Sequence, residues 1–154
     1  MWWLWTSLAL AGAPWVRPPG GAYSKLSVQR FSAQGFVGAD GQVHGQQPSV
    51  YEATTASTEL GLLPGLQLAA SLPWVSASNE VAGAQFSNRG MGDLVVELTT
   101  GRELGSGWPV ALTSRTRWPL YDTGRLRAYG AAGGRFPALG DGQVDADLIA
   151  HVGL

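Results

Sequence analysis

Apolar and polar side chains alternate along most of the chain after its first twenty residues. In residues 65–76, for example, Leu68 and Leu72 have the opposite parity to Gln67 and Ser71. A period of two puts neighbouring residues on opposite faces of a β-strand. The pattern therefore predicts an all-β protein, with strands at residues 22–31, 49–60, 65–76, 92–100, 108–118 and 143–154.

The connections between these six segments alternate in length. Short turns are predicted at residues 61–64 and 103–107, and long connections at residues 32–48, 77–90 and 119–142. Bacterial outer-membrane barrels have this asymmetry, with short periplasmic turns and longer outside loops. The order predicts an antiparallel up-and-down transmembrane β-barrel, with about six strands present and its N-terminal end in the periplasm.

Aromatic residues cluster at the ends of the predicted strands. Tyr23 and Trp108 lie at predicted periplasmic ends. The predicted outer ends carry Phe31, Tyr51, Trp74 and Trp118. Membrane barrels have aromatic girdles at both interfaces, so this distribution favours a membrane barrel over a soluble one.

The N-terminus has the features of a signal peptide. Residues 2–13, WWLWTSLALAGA, are apolar and end in small residues, although no Lys or Arg precedes them. We expect a signal peptide over residues 1–11, with cleavage after Ala11 or Ala13, and a barrel portion over residues 12–154. The expected location is the bacterial outer membrane. A buried first strand or helix of a cytosolic domain is the alternative reading of this stretch.

Composition agrees with a barrel. Charged residues make up 14% of the chain, below the roughly 25% of an ordinary soluble domain. The net charge of −1 gives no electrostatic footprint for nucleic acid. With no Cys and only His44 and His151, the chain offers no metal-ligand cluster, and we expect no metal or cofactor.

Charged side chains within the strands need a polar environment. A basic residue facing lipid at mid-membrane costs about 2–4 kcal/mol, so we expect these side chains to face the lumen. Carboxylates on the fourth predicted strand are expected to form cross-strand pairs with guanidiniums on the fifth. The candidate lumen-facing residues are Lys25, Glu52, Asp93, Glu97, Arg115, Arg117, Asp145 and Asp147.

Several short segments, taken in order, resemble outer-membrane proteins labelled "MetA-pathway of phenol degradation" and similar transporters. The segments are APW at 13–15, PPG at 18–20, AYSKLS at 22–27, GADG at 38–41, SLPWV at 71–75, GMGDL at 90–94 and FPALGDGQ at 136–143. The resemblance implies a non-enzymatic barrel that helps small, often hydrophobic solutes across the outer membrane. We expect Gly90, Gly92 and Asp93 to form a turn and strand-entry motif.

The strand count departs from that family. Single-chain bacterial barrels have at least 8 strands, and six leave two open edges in lipid. The expectation is therefore part of a barrel: a truncated chain missing its C-terminal half, or one chain of an oligomer. Its partners would be outer-membrane lipid and a small solute.

Two other classes of protein stay open. One is a secreted or periplasmic β-sandwich or small barrel that binds a ligand. The other is an outer-membrane enzyme, for which the only candidate base and nucleophile are His44 with Ser49 or Ser78.

Overall fold

The computed structural model describes residues 16–37, 41–81, 83–105, 107–122, 137–140 and 142–153. The predicted signal peptide lies outside these residues. The described chain forms one antiparallel sheet of seven strands, and no helix is present among these residues, so the all-β prediction is confirmed. The strands are β1 (Ala22–Val37), β2 (Val43–Leu63), β3 (Leu66–Val81), β4 (Ala84–Met91), β5 (Asp93–Leu104), β6 (Trp108–Pro119) and β7 (Asp145–Val152).

The sheet has six strand positions because β4 and β5 share one. The strands follow the order β1-β2-β3-β5-β6-β7, and β4 pairs with β3. The first half of β3 pairs with β5 and its second half pairs with β4. Only Gly92 separates β4 from β5, and its amide donates to the carbonyl of Pro73 at 2.9 Å. The six predicted segments thus match the six positions, with one position divided at Gly92.

Two of the predicted long connections are mostly strand. Residues 32–48 are largely taken up by the ends of β1 and β2, and residues 77–90 by the end of β3 and β4. The sequence prediction was wrong here because these segments have few large apolar residues and so show no clear period of two. Backbone pairing in a hairpin does not depend on that alternation. Most of the third long connection, residues 123–136, lies outside the described residues.

The two short turns lie where they were predicted. β2 and β3 are joined at Pro64 and Gly65, and Gly65 has a φ of 75°. β5 and β6 are joined by residues 105–107. We call the end of the sheet that holds these turns the near end, and the opposite end, where Val81 and Pro119 lie, the far end.

The two faces of the sheet differ in chemistry. Residues directly opposite each other in an antiparallel pair share a face, so the strand registers assign every side chain to one side. We call the side of Leu68 and Leu98 the apolar face and the side of Glu97 and Arg115 the polar face. Large apolar side chains exposed on the apolar face are Leu26, Val28, Leu60, Trp74, Met91, Leu98, Leu104, Trp108, Leu112, Trp118, Leu148 and Val152.

Burial is concentrated on the other side. The buried strand residues on the polar face are Ala53, Gly61, Val75, Ala77, Pro109, Ala111 and Thr113. Val75 is 0% exposed, whereas Leu26 and Leu148 on the apolar face are 72% and 71% exposed. Within the described ranges, the sheet is therefore covered, in part, on its polar side only.

Candidate functional site

The polar face carries a set of ion pairs that run across β5, β6 and β7. Arg115 on β6 lies between Glu97 on β5 and Asp147 on β7 in the strand registers. Its Nε donates to Oε1 of Glu97 at 2.6 Å. One step along the strands, Nη1 of Arg117 lies 3.6 Å from Oδ2 of Asp145. The predicted pairing of a carboxylate on the fourth predicted strand with a guanidinium on the fifth is confirmed for Glu97 and Arg115.

Hydroxyl groups continue the polar face toward the near end. Oγ1 of Thr113 lies 2.9 Å from Oγ1 of Thr99 and 3.1 Å from Nε2 of His151. Thr113 is buried, so this chain of hydrogen bonds satisfies a side chain that water does not reach.

Residues preceding β1 cross the polar face at its near end. Nε of Arg17 donates to Oε2 of Glu59 at 2.8 Å, and its amide donates to Oε1 of Gln67 at 2.9 Å. The guanidinium also lies 4.7 Å from the centroid of the Tyr23 ring. The backbone is tied down as well, since Gly20 donates to the carbonyl of Gly61 at 2.9 Å. Neither Arg17 nor Glu59 was among the predicted site residues, although Glu59 has the same odd parity as the other polar-face positions of β2.

A second segment crosses the polar face at its far end. Residues 137–140, which we call the far strap, pack against β3, β4 and the start of β5. Leu139 is 6% exposed and joins a cluster with Ala53, Val75 and Ala77. Tyr51 and Tyr121 pack against this cluster.

The far strap explains the glycines of the GMGDL segment. A Cβ on Gly92 would lie 2.9 Å from the carbonyl oxygen of Leu139, and one on Gly90 would lie 3.0 Å from Cδ1 of Leu139. A Cβ on Gly140 would contact the carboxylate of Asp93. Neither Gly90 nor Gly92 is among the glycines with positive φ. Gly92 requires glycine because backbone and ring atoms of other segments lie against it, whereas at Gly90 the neighbour is the flexible end of the Leu139 side chain. In place of the predicted turn, Gly90 lies within β4, Gly92 alone separates β4 from β5, and β5 begins at Asp93.

Seven of the eight predicted lumen-facing residues share the polar face. They are Lys25, Asp93, Glu97, Arg115, Arg117, Asp145 and Asp147. Glu52 is the exception, so its assignment with the others was wrong. It lies opposite Arg30 and Ser76, on the side of the apolar face, where its Oε1 is 3.3 Å from Nη1 of Arg30. This pair lies beyond Trp74, toward the far end, where the strand residues on this side of the sheet include charged ones.

A small cleft lies on the polar face between residues 16–21 and the far strap. Its volume is about 200 Å³, and it lies over β2, β3 and β5. The polar-face residues that line it are Ser57, Glu59, Ala69, Ser71, Val95 and Glu97. Both carboxylates at its edges are engaged by arginines, Arg17 and Arg115.

The described residues do not bring a catalytic or metal-binding group together. They contain no cluster of three or more His, Asp or Glu side chains able to hold a metal ion. His44 lies in β2, and Ser49 and Ser78 point to opposite faces of the sheet. No helix in the described part of the chain is long and apolar enough to cross a membrane.

The chain was compared with family models, curated proteins and solved structures, and none of them matches it.

Proposed function

We propose that this sheet forms part of the wall of a transmembrane β-barrel in the bacterial outer membrane, and that the barrel is a passage for small solutes. The observation that carries the proposal is the inversion of burial between the two faces. The face with the ion pairs is covered in part, and the face with the leucines is exposed.

An ordinary soluble domain buries the apolar face of a sheet against a second layer. In the described chain, residues 16–21, the far strap and Tyr121 all pack against the polar face of this sheet. Exposed apolar patches of more than a few hundred Å² are rare on monomeric soluble proteins. Lipid is the environment that accommodates a whole apolar face.

The height of the apolar face supports a membrane. On β3 it extends from Leu66 to Trp74, about 9 residues, and a transmembrane strand needs about 9–11. Trp74, Met91 and Trp118 lie near its far limit. Beyond that limit the same face carries Arg30, Glu52, Glu80 and Arg89. At the near end the same face carries Arg102, opposite Val110, and then the Leu104–Trp108 pair. The other aromatic residues predicted for the girdles, Tyr23, Phe31 and Tyr51, lie on the polar face. An apolar band between interfacial aromatic residues and charges is the outer surface expected of a barrel.

The polar face would then line the passage. The interior of a large barrel is polar, and lumen residues tune which solutes pass. The ion pairs of Arg115 and Arg117 are stable in such a setting, because water and opposite charges both reach them. The resemblance to outer-membrane transporters agrees with a small, and in that family often hydrophobic, solute.

Closure of the barrel needs strands from outside this sheet. In the described chain β1 and β7 are the two edges, and six strand positions are fewer than the 8 of the smallest single-chain bacterial barrels. The edges match each other in chemistry. β1 carries Lys25 on its polar face and β7 carries Asp145 and Asp147, while both carry apolar residues on the other face. A second copy of this chain, or further strands of the same barrel, would pair with them.

Fractionation and reconstitution test the proposal. The protein is expressed with its N-terminal segment in a Gram-negative host, and we expect it in the outer-membrane fraction, soluble only with detergent. After reconstitution, planar lipid bilayers should show discrete conductance steps, and bilayers with a preparation from the empty host should not. A monodisperse, detergent-free protein in the periplasm would refute the proposal and support the secreted binding module.

A further inference from the structure

The far strap lies on the lumen side of the proposed wall, just beyond the far limit of the apolar band and short of the strand tips. Leu139 packs against Val75 and Ala77, in the middle of the far half of β3. The carbonyl of Pro137 accepts a hydrogen bond from Nδ2 of Asn88 at 3.2 Å. Both contacts are made on the polar face, so the strap occupies space that a solute would otherwise use.

The wall beneath the strap is shaped to hold it. Gly92 has no room for a side chain, because a Cβ there would meet the carbonyl of Leu139 at 2.9 Å and Cγ of Pro73 at 3.0 Å. These are a backbone atom and a ring atom, and neither can turn aside. A glycine that is required by contact, and not by φ, indicates that strap and wall are fitted to each other.

We infer that the far strap is a fixed constriction, and that the packing of Leu139 on Gly90 and Gly92 sets the largest solute that the barrel admits. This inference rests on the proposed function. The far strap would act as a specificity-determining element, because it narrows the far half of the passage. Arg17 would narrow the near half separately.

Docking of the strap can be measured without any transport assay. The chain contains no Cys, so the pair Asn88→Cys and Pro137→Cys supplies the only two thiols. A short thiol-specific cross-linker should join them in the detergent-solubilised protein, as detected by peptide mass spectrometry. Arg89→Cys with Pro137→Cys is the matched control, because Arg89 neighbours Asn88 but lies on the opposite face. Equal cross-linking of both pairs would refute a docked strap.

The effect on permeation is measured by liposome swelling with uncharged sugars of increasing size. We expect Gly92→Val to displace the strap, to slow cross-linking of the first pair at least about tenfold, and to admit larger sugars. Met91→Val, one residue away on the apolar face, should change neither the cross-linking rate nor the size of sugar admitted. Leu139→Ala is the second variant, because it leaves the strands intact even if Gly92→Val prevents insertion.

The outcomes separate the two proposals. If the wild-type protein passes no sugar, the passage is refuted and the constriction with it, whatever the cross-linking shows. If the wild-type protein passes small sugars and Leu139→Ala does not raise the size limit, only the constriction is refuted.

Discussion

The two faces of this sheet are built from the same strands but follow opposite rules. On the polar face, small residues such as Ala53 and Ala77 are buried beneath a strap, and charges such as Arg115 are paired. On the apolar face, Leu26 and Leu148 are largely exposed and no described segment covers them. The contrast teaches that side-chain chemistry alone does not identify the interior of a sheet. What must be known is which face the rest of the chain covers.

The largest expected effect comes from moving a charge from one face to the other. Leu98→Lys puts a cation at the middle of the apolar band, where lipid exposure costs about 2–4 kcal/mol. We expect this variant to fail to insert into liposomes, as measured by protease protection. Ser71→Lys, on the polar face of the neighbouring strand β3, is the matched control and should insert normally. Equal insertion of both would contradict the assignment of the faces.

A smaller effect is expected from truncating Leu139, the side chain of the far strap that joins the buried cluster. Leu139→Ala removes a side chain that is 6% exposed, and we expect a loss of about 2–3 kcal/mol, the low end for buried leucines because the cluster is small. Urea unfolding in detergent micelles measures this loss. Leu148→Ala on the apolar face leaves no internal cavity and should cost less. A larger loss at Leu148 would show that the main packing lies on the apolar face.

The ion pairs should affect selectivity more than stability. Their side chains are about a third exposed, so each pair contributes roughly 0.5 kcal/mol. Replacing Arg115 and Arg117 with Gln leaves their carboxylate partners uncompensated, and reversal potentials in a salt gradient should shift toward cation preference. Arg30→Gln, on the other face, should leave the reversal potential unchanged. An equal shift in the Arg30→Gln variant would show that Arg115 and Arg117 do not line the passage.

The smallest effect is expected at the near end. Arg17→Ala removes one ion pair and a cation–π contact, both partly exposed, and we expect a loss of about 1 kcal/mol or less. Proteolysis near residues 16–21 should become faster, which limited digestion and mass spectrometry detect. Arg30→Ala is the comparison, because its pair with Glu52 is more exposed and ties down no segment.

How far the sequence predicts this fold differs between elements. Alternation located β5 and β6 within a few residues, because each has one strongly apolar face. It missed β4, AQFSNRGM, where neither face is consistently apolar and pairing with β3 is the cause of the strand. Glu52 was misassigned for a related reason. Glu52 has the parity of the apolar face of β2, but it lies beyond Trp74, where the apolar band has ended.

For the candidate site, the sequence identified residues but not their partners. The pairing of Glu97 with Arg115 follows from adjacent strands joined by a short turn, so it was predictable. The contact between Leu139 and Gly92 joins segments that are 47 positions apart in the numbering, and no local pattern links them.

The sequence by itself determined the six alternating segments, their two-faced chemistry and the short turns, because these depend on neighbouring residues and on a period of two. The tertiary structure decided which face is covered, how far the strands extend, where β4 lies, and why Gly92 cannot carry a side chain. Those features depend on contacts between distant segments, and such contacts exist only once the strands have found their registers.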